Sequence, residues 1–400
     1  MTMPHLSRQR RITLTLVATF LAVGFAWYVS SRPMDFRVYY HGAEGVLNES
    51  RPVYGNYSGM GWPMHYRYPP IFLFLAMPFT LLPLSWASAV WTFLKCGALF
   101  LLIRAFWRRL GPTNSTAAWL IPFLLAGPYV VEDLRYGNAQ GFIFALTAAA
   151  LLLLPRARLL AAAALALAIS IKVWPLYFLP YLAVRREWKV VGATLALTAI
   201  LLLLPSLYFG VGGNAYLLSR WTQQEISTQT GQTEIWFQSQ SLRGVMMRYL
   251  TLVDYSVLPD PNYPVINIAS VTPDKVRALW IALAGIGYLG LLLITARRHS
   301  STKFGLTEAL AFTGLTLLQP FSQKYSLVVL LWPAMVAGRV VGGNRARGLL
   351  YAAIALTLAQ PLISGSAAQR LMQVIGFDFL ATALLAAFLV ASIFASPTER

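Results

Sequence analysis

Hydrophobic residues recur along the chain in runs long enough to cross a lipid bilayer. A helix needs about 20 apolar residues to span a hydrocarbon core of about 30 Å. Besides the long runs given below, helices are predicted near residues 304 and 325. The segments between residues 70 and 184 are short and interrupted by prolines. The pattern predicts an all-α, polytopic membrane protein, one domain over residues 1–400 with about 12 transmembrane segments. The long runs cover residues 12–30, 86–106, 190–209, 276–296, 348–363 and 377–395.

Two long stretches interrupt the apolar pattern, residues 31–69 and 210–275, and both are rich in Tyr, Trp, Gly, Pro, Asn and Gln. Connections of this length are uncommon unless they bind or catalyse. Counting the spans places both stretches on the outer face of the membrane. The second could cover a cleft as a lid, or it could be a polar linker.

Charge supports a membrane location and argues against a nucleic-acid partner. The chain is 57% hydrophobic and 12% charged, with a net charge of +18. Its basic residues do not form the single face or tail that nucleic acid requires. Clusters such as 8–11, 185–189, 297–303 and 339–347 instead lie between apolar segments, as the positive-inside rule expects of cytoplasmic loops. We expect a protein of the bacterial inner membrane, surrounded by lipids, with cytoplasmic termini and residues 12–30 as its first anchor.

Lys172 lies in an apolar region whose segments are compatible with two topologies. One leaves basic residues outside; the favoured one makes residues 160–184 a short hairpin with Lys172 at its outer tip. Irregular backbone and a lysine at membrane depth are tolerated where they line a wet cavity. Lys172 therefore predicts a cavity, while a lysine that merely anchors a helix end remains the alternative.

Residues 34–47 have apolar positions at helical spacing, which predicts an amphipathic helix on the membrane surface. Asp35 stands at its beginning, where its carboxylate would point at the amide dipoles. A simple helix cap explains that position equally well. The stretch ends in Tyr66-Arg67-Tyr68-Pro69-Pro70, which is more specific than an interfacial belt of aromatic residues requires.

The order of several motifs resembles glycosyltransferase family 87, the polyprenol-phosphate-mannose-dependent transferases of the GT-C superfamily. The resemblance extends over most of the chain and is strongest from residue 31 to 190. Its motifs are Asp-Phe-x-Val-Tyr-Tyr from Asp35, Tyr-x-Tyr-Pro-Pro from Tyr66, Tyr136-Gly137-Asn138-Ala139-Gln140, Ile171-Lys172-Val173-Trp174-Pro175, Gln238-Ser239-Gln240-Ser241-Leu242 and Ser322-Gln323-Lys324-Tyr325.

The resemblance implies an inverting hexosyltransferase that moves a sugar, mannose by analogy, at the outer membrane face. Its donor would be a polyprenyl-phosphate sugar, its acceptor a hydroxyl of a glycolipid or glycan, and Asp35 its general base, with Glu44 as the weaker alternative. Cations at the interface would hold the donor phosphate: Lys172, Lys324 and Arg243 are preferred, with Arg135 and Arg248 as further candidates. Substrate-lining residues would be Tyr39, Tyr40, His65, Tyr66, Arg67, Tyr68, Asn138, Gln140, Trp236, Gln238 and Gln240.

Neither a metal nor a cofactor is expected. The sequence has no Asp-x-Asp and no cluster of His and carboxylates at ligand spacing, which favours a lipid-linked donor over a nucleotide sugar. A transporter or lipid carrier would also need broken helices and an intramembrane lysine, but it would show two corresponding halves, which the sequence lacks. A scaffold without activity is the third alternative; its outer polar residues would share no common focus.

Overall fold

A computed structural model describes the chain over residues 23–25, 27–28, 33–49, 53–55, 65–111, 115–228, 236–255, 263–298, 305–341, 345–363 and 365–395. Within these ranges every regular element is helical, as the hydrophobic pattern predicts. The α-helices are α1 (Met34–Glu44), α2 (Pro70–Ala76), α3 (Leu84–Leu110), α4 (Ala117–Tyr136), α5 (Gln140–Leu153), α6 (Arg158–Ile171), α7 (Phe178–Val184), α8 (Trp188–Leu203), α9 (Ser206–Thr228), α10 (Leu242–Leu250), α11 (Pro273–Arg298), α12 (Leu306–Leu318), α13 (Leu331–Val340), α14 (Arg347–Leu362), α15 (Ser366–Ile375) and α16 (Phe377–Ala395).

Tighter or wider helical turns extend several of these helices. A π-helical turn, Gly45–Glu49, follows α1, and 3₁₀ turns occupy Met77–Leu81, Trp174–Tyr177 and Lys324–Leu330. These turns adjoin α1, α2, α7 and α13.

Four of the described helices are long and apolar enough to cross a membrane: α3, α4, α11 and α16. A fifth span is possible if α8 and α9, bent by 95° at their junction, count as one. The predicted number of about 12 spans is not confirmed. Several apolar helices, including α5, α6 and α12, have only 13 or 14 residues. Most of the predicted first anchor, residues 12–30, lies outside the described residues.

The centre of the bundle is α13, a short helix whose residues from Leu331 to Gly338 are all buried. A helix that is apolar all round belongs inside the protein. Gly338 allows α4 to come close, because a Cβ atom there would lie 2.9 Å from the carbonyl oxygen of Ala117. The 3₁₀ turn before α13 is held by the same packing, and its first residues reach the site described below.

Residues 158–184 form a hairpin, where the favoured topology predicts one over residues 160–184. Arg158 at the start of α6 pairs with Glu187 at 3.2 Å, and Thr194 of α8 donates to the carbonyl oxygen of Ala162. Helices α6 and α8 therefore run side by side in the same direction, and the chain between them must reverse. Lys172 lies at the reversal, with an extended backbone that ends α6.

The second interrupted stretch, residues 210–275, is more helical than its composition suggests. It contains most of α9 and all of α10, and Gly210 provides the positive φ (71°) at the bend inside α9. In the described part of the first stretch, residues 34–44 form α1 and residues 45–49 form the π-helical turn. Helices α1 and α9 form two walls of one cavity.

Candidate active site

A cavity of about 860 Å³ opens where α1, α9, the hairpin tip and the end of α12 meet. Nine of the residues expected to serve catalysis or binding line it: Asp35, Tyr39, His65, Arg67, Tyr68, Asn138, Gln140, Lys172 and Trp236. They come from five separate segments of the chain. Its other walls include the apolar side chains of Leu176, Leu315 and Phe321. The cavity therefore combines ionisable groups with a surface suited to hydrocarbon.

Asp35 lies in the first turn of α1 and is only 7% exposed. It does not cap the helix, since Pro33 holds the cap position and no side chain bonds there. Its Oδ2 atom instead accepts a hydrogen bond of 2.6 Å from Nδ2 of Asn138. Burial raises the pKa of Asp35, although the hydrogen bond from Asn138 and the charges of Lys172 and Lys95 oppose that rise. Such a carboxylate is a better proton acceptor than an exposed one.

A tight turn between α4 and α5 aims Asn138 at Asp35. Gly137 has a φ of +67°, and a Cβ atom there would lie 3.0 Å from Cβ of Phe36, so only glycine fits against α1. The Oδ1 atom of Asn138 accepts from the backbone N–H of Gln140 at 2.8 Å, which leaves Nδ2 for Asp35. Trp91 donates to the carbonyl oxygen of Gly137 and holds the turn from the other side.

Lys172 reaches the cavity from the hairpin tip. Its ammonium lies 5.8 Å from the ring centre of Tyr68 and 6.0 Å from that of Tyr325, so two aromatic faces attract it. Within the described part of the chain, its ammonium forms no hydrogen bond and no ion pair. A half-buried cation without an anion, in the same cavity as a carboxylate, is suited to bind a phosphate.

Arg67 is already paired with a carboxylate. Its guanidinium donates to both oxygens of Glu225 on α9, at 3.0 and 3.1 Å. Trp221 donates to the carbonyl oxygen of Arg67, and Gln224 to that of Tyr66 at 2.7 Å. The contacts of Trp221, Gln224 and Glu225 therefore fix α9 against residues 66 and 67, and α9 forms a wall of the cavity.

Two aromatic residues of the expected set lie beside the cavity instead of lining it. The hydroxyl of Tyr40 donates to the carbonyl oxygen of Leu82, which anchors α1 to the turn before α3. The ring of Tyr66 is fully buried against Gly42, where a Cβ atom would approach it to 2.9 Å. Both side chains therefore pack into the core, whereas His65, Arg67 and Tyr68 line the cavity.

Two of the expected phosphate-binding cations point elsewhere. Lys324 donates to Gln360 of α14, because successive residues of a 3₁₀ turn point about 120° apart and its neighbour Tyr325 takes the cavity side. Arg243 donates to the carbonyl oxygen of Pro320 at 3.0 Å and lies over the ring of Trp280. It braces a segment that lines the cavity without reaching the cavity itself.

The remaining expected residues are also away from the cavity. Gln238 is half-buried outside its lining, and Gln240 donates to the carbonyl oxygen of Gln373. Arg248 is fully buried and donates to backbone carbonyl oxygens, while Arg135 lies 3.7 Å from Glu132 on the same helix. The alternative base, Glu44, accepts from the ring of His41 at 2.9 Å and does not line the cavity.

The sequence reasoning missed an ion pair directly behind the site. Lys95 of α3 and Asp133 of α4 are both fully buried, with Nζ 3.1 Å from Oδ2. The sequence does show that Lys95 and Asp133 lie inside apolar runs, and ionisable residues in such runs are functional candidates by default. Among the described residues, no group of three or more His, Cys, Asp or Glu side chains could hold a metal ion.

A bundle of apolar helices around a cavity with a buried carboxylate and a cation defines an integral membrane protein with a polar substrate site. The profile of glycosyltransferase family 87 matches residues 66–320, and the chain therefore belongs to that family. The predicted family is confirmed, and the protein is a membrane glycosyltransferase. No curated protein matches the chain. The matched range includes Asn138 and Lys172, whereas Asp35 precedes it.

Proposed function

We propose that the protein transfers a hexose, with mannose as the expected sugar, from a polyprenyl-phosphate donor to a hydroxyl of a glycolipid or glycan. The observation that supports this proposal most strongly is that the carboxylate of Asp35 and the ammonium of Lys172 line the same cavity. A sugar on a lipid phosphate already has a leaving group. The protein must therefore accept one proton, neutralise one phosphate and align the reactants.

The transfer is a single displacement. The acceptor oxygen attacks the anomeric carbon, the bond from that carbon to the phosphate oxygen breaks, and its electron pair leaves with the lipid phosphate. The hydroxyl proton passes to Asp35. Its Oδ1 atom accepts no hydrogen bond from any described residue and can therefore take this proton. Lys172 neutralises the departing phosphate. One displacement inverts the anomeric configuration.

The walls of the cavity favour a lipid-linked donor. Leu176, Leu315 and Phe321 share the lining with Lys172, so a hydrocarbon chain can lie along these apolar side chains while its phosphate meets the cation. The hairpin also supports an outer location for the site. Arg158 and the basic residues 185–189 lie at the end opposite Lys172, and basic ends favour the cytoplasmic face.

The donor class can be tested with purified protein in liposomes that contain an acceptor extract. Radiolabelled polyprenyl-phosphate mannose should yield labelled product, equally with and without EDTA, whereas GDP-mannose should yield none. Product formed only from GDP-mannose would contradict a lipid-linked donor. Loss of transfer from polyprenyl-phosphate mannose when EDTA is added would contradict a metal-independent reaction. Movement of the labelled lipid across the bilayer without product would favour a carrier.

The pH dependence of transfer should report Asp35. Because burial raises its pKa, the rate should fall as the pH is lowered through a value above that of an ordinary aspartate. Removing the amide with Asn138→Ala deletes a hydrogen bond that lowers this pKa, so the acid limb should move to higher pH. Profiles of kcat/KM for both proteins would measure it. A limb that stays in place or moves to lower pH would separate Asn138 from the base.

A further inference from the structure

The buried ion pair of Lys95 and Asp133 lies outside the lining of the cavity, although the charge of Lys95 acts on Asp35. Both side chains are fully buried, and Nζ of Lys95 also donates to the carbonyl oxygen of Asp133 at 2.9 Å. Burying two charges is costly, and a well-packed apolar pair would often be as stable. The pair therefore calls for a role other than joining α3 to α4.

Asp133 bonds directly to the turn that presents Asn138. Its Oδ1 atom accepts from the backbone N–H of Gly141 at 3.3 Å, in the first turn of α5, where a carboxylate is favoured. A Cβ atom on Gly141 would lie 2.7 Å from Oδ2 of Asp133 and 2.9 Å from Cδ of Lys95. The backbone of the turn thus rests on the ion pair with no space between them.

The same turn has little freedom elsewhere. Gly137 lies against α1, Trp91 holds its carbonyl oxygen, and Ala139 donates to the hydroxyl of Tyr39 at 3.3 Å. Asp133 supplies the contact on the α5 side. A shift of the turn would change the position of Nδ2 of Asn138, which donates to Asp35 at 2.6 Å.

We propose that Asp133, braced by Lys95, is a positioning residue that holds Asn138 against the carboxylate of Asp35. This inference rests on the proposed role of Asp35 as the base. Asp133 is hydrogen-bonded neither to Asp35 nor to a residue of the cavity lining, and it contacts the turn through the backbone N–H of Gly141. The purely structural alternative is that the pair ties two helices together.

A double-mutant cycle on kcat separates these roles. If Asp133 acts through Asn138, the two losses are not independent, and Asp133→Ala combined with Asn138→Ala should be no slower than Asn138→Ala alone. Asp133→Ala by itself should lower kcat about tenfold or more, with the donor KM within about twofold, since small displacements of catalytic groups are costly. Asp133→Asn keeps an oxygen for Gly141 and should give a kcat above that of Asp133→Ala.

Asp378 provides the matched control. It is a buried carboxylate that ties α16 to α4 through a 2.9 Å hydrogen bond from Tyr129, and it does not contact the turn. Asp378→Ala should lower the melting temperature in detergent and leave kcat of the folded protein near that of the wild type. Where Asp133→Ala does not fold, Lys95→Met with Asp133→Leu removes both charges and replaces it in the cycle.

Losses that multiply in the double mutant would overturn the inference. It would also be overturned if Asp133→Ala behaved like Asp378→Ala, with a lower melting temperature and a kcat near that of the wild type. Asp35→Asn is measured in parallel. Full transfer by Asp35→Asn would refute the proposed function itself. An inactive Asp35→Asn together with multiplying losses would refute only the positioning role.

Discussion

Asp35→Asn should abolish most transfer, with kcat lower by about 10³-fold, within the range that a positioned general base contributes. The amide keeps the size of the side chain but cannot accept the hydroxyl proton. Because Asp35 does not hold the donor phosphate in this account, the donor KM should change little. Single-turnover incorporation of label from polyprenyl-phosphate mannose measures the chemical step directly.

Glu44→Gln is the matched control, because Glu44 lies on the same helix and is the alternative base. It accepts from His41 and does not line the cavity. We expect transfer close to that of the wild type. The reverse pattern, a silent Asp35→Asn and an inactive Glu44→Gln, would assign the base to Glu44 and contradict the site as described.

Lys172→Met should lower kcat/KM for the donor about 10²-fold to 10³-fold, the usual effect of removing one group that stabilises a developing anion. Methionine keeps an apolar stem between the rings of Tyr68 and Tyr325 but leaves the phosphate charge without a partner. We also expect polyprenyl phosphate, the product, to inhibit the wild type and to inhibit Lys172→Met much less. Lys172→Arg should recover part of both, since it restores the charge with a different geometry.

Lys324→Met tests the same chemistry at a cation that points away from the cavity. Lys324 donates to Gln360 inside the bundle, so its loss should lower thermal stability without changing inhibition by polyprenyl phosphate. If Lys324→Met removes this inhibition and Lys172→Met does not, the donor phosphate lies elsewhere and the assignment is wrong.

The hydrophobic pattern predicted the helical class and the approximate bounds of several spans. The runs 86–106, 276–296 and 377–395 correspond to α3, α11 and α16. The number of spans did not follow, because many apolar helices here are shorter than a bilayer. Helix α4 contains Pro122 and Pro128 and was missed as a long span, since proline breaks helices in water but is tolerated within a bundle.

The order of motifs predicted which segments meet, and it was less informative about which side chains face the cavity. Asp35, Asn138 and Lys172 lie in one lining. Lys324 and Arg243 do not, because the rotation of a 3₁₀ turn and the packing of α10 depend on tertiary contacts. Glu225 was overlooked since its helix was interpreted as a loop, and Asp133 since it lies in an apolar region.

The most direct test is an experimental structure of the protein in a lipid nanodisc with bound polyprenyl phosphate. The account predicts the phosphate within hydrogen-bond distance of Nζ of Lys172, its hydrocarbon chain along Leu176 and Phe321, and open space between the phosphate and Asp35 for a sugar and an acceptor hydroxyl. A phosphate bound at Lys324 or Arg243, or at the membrane face opposite the hairpin tip, would contradict it.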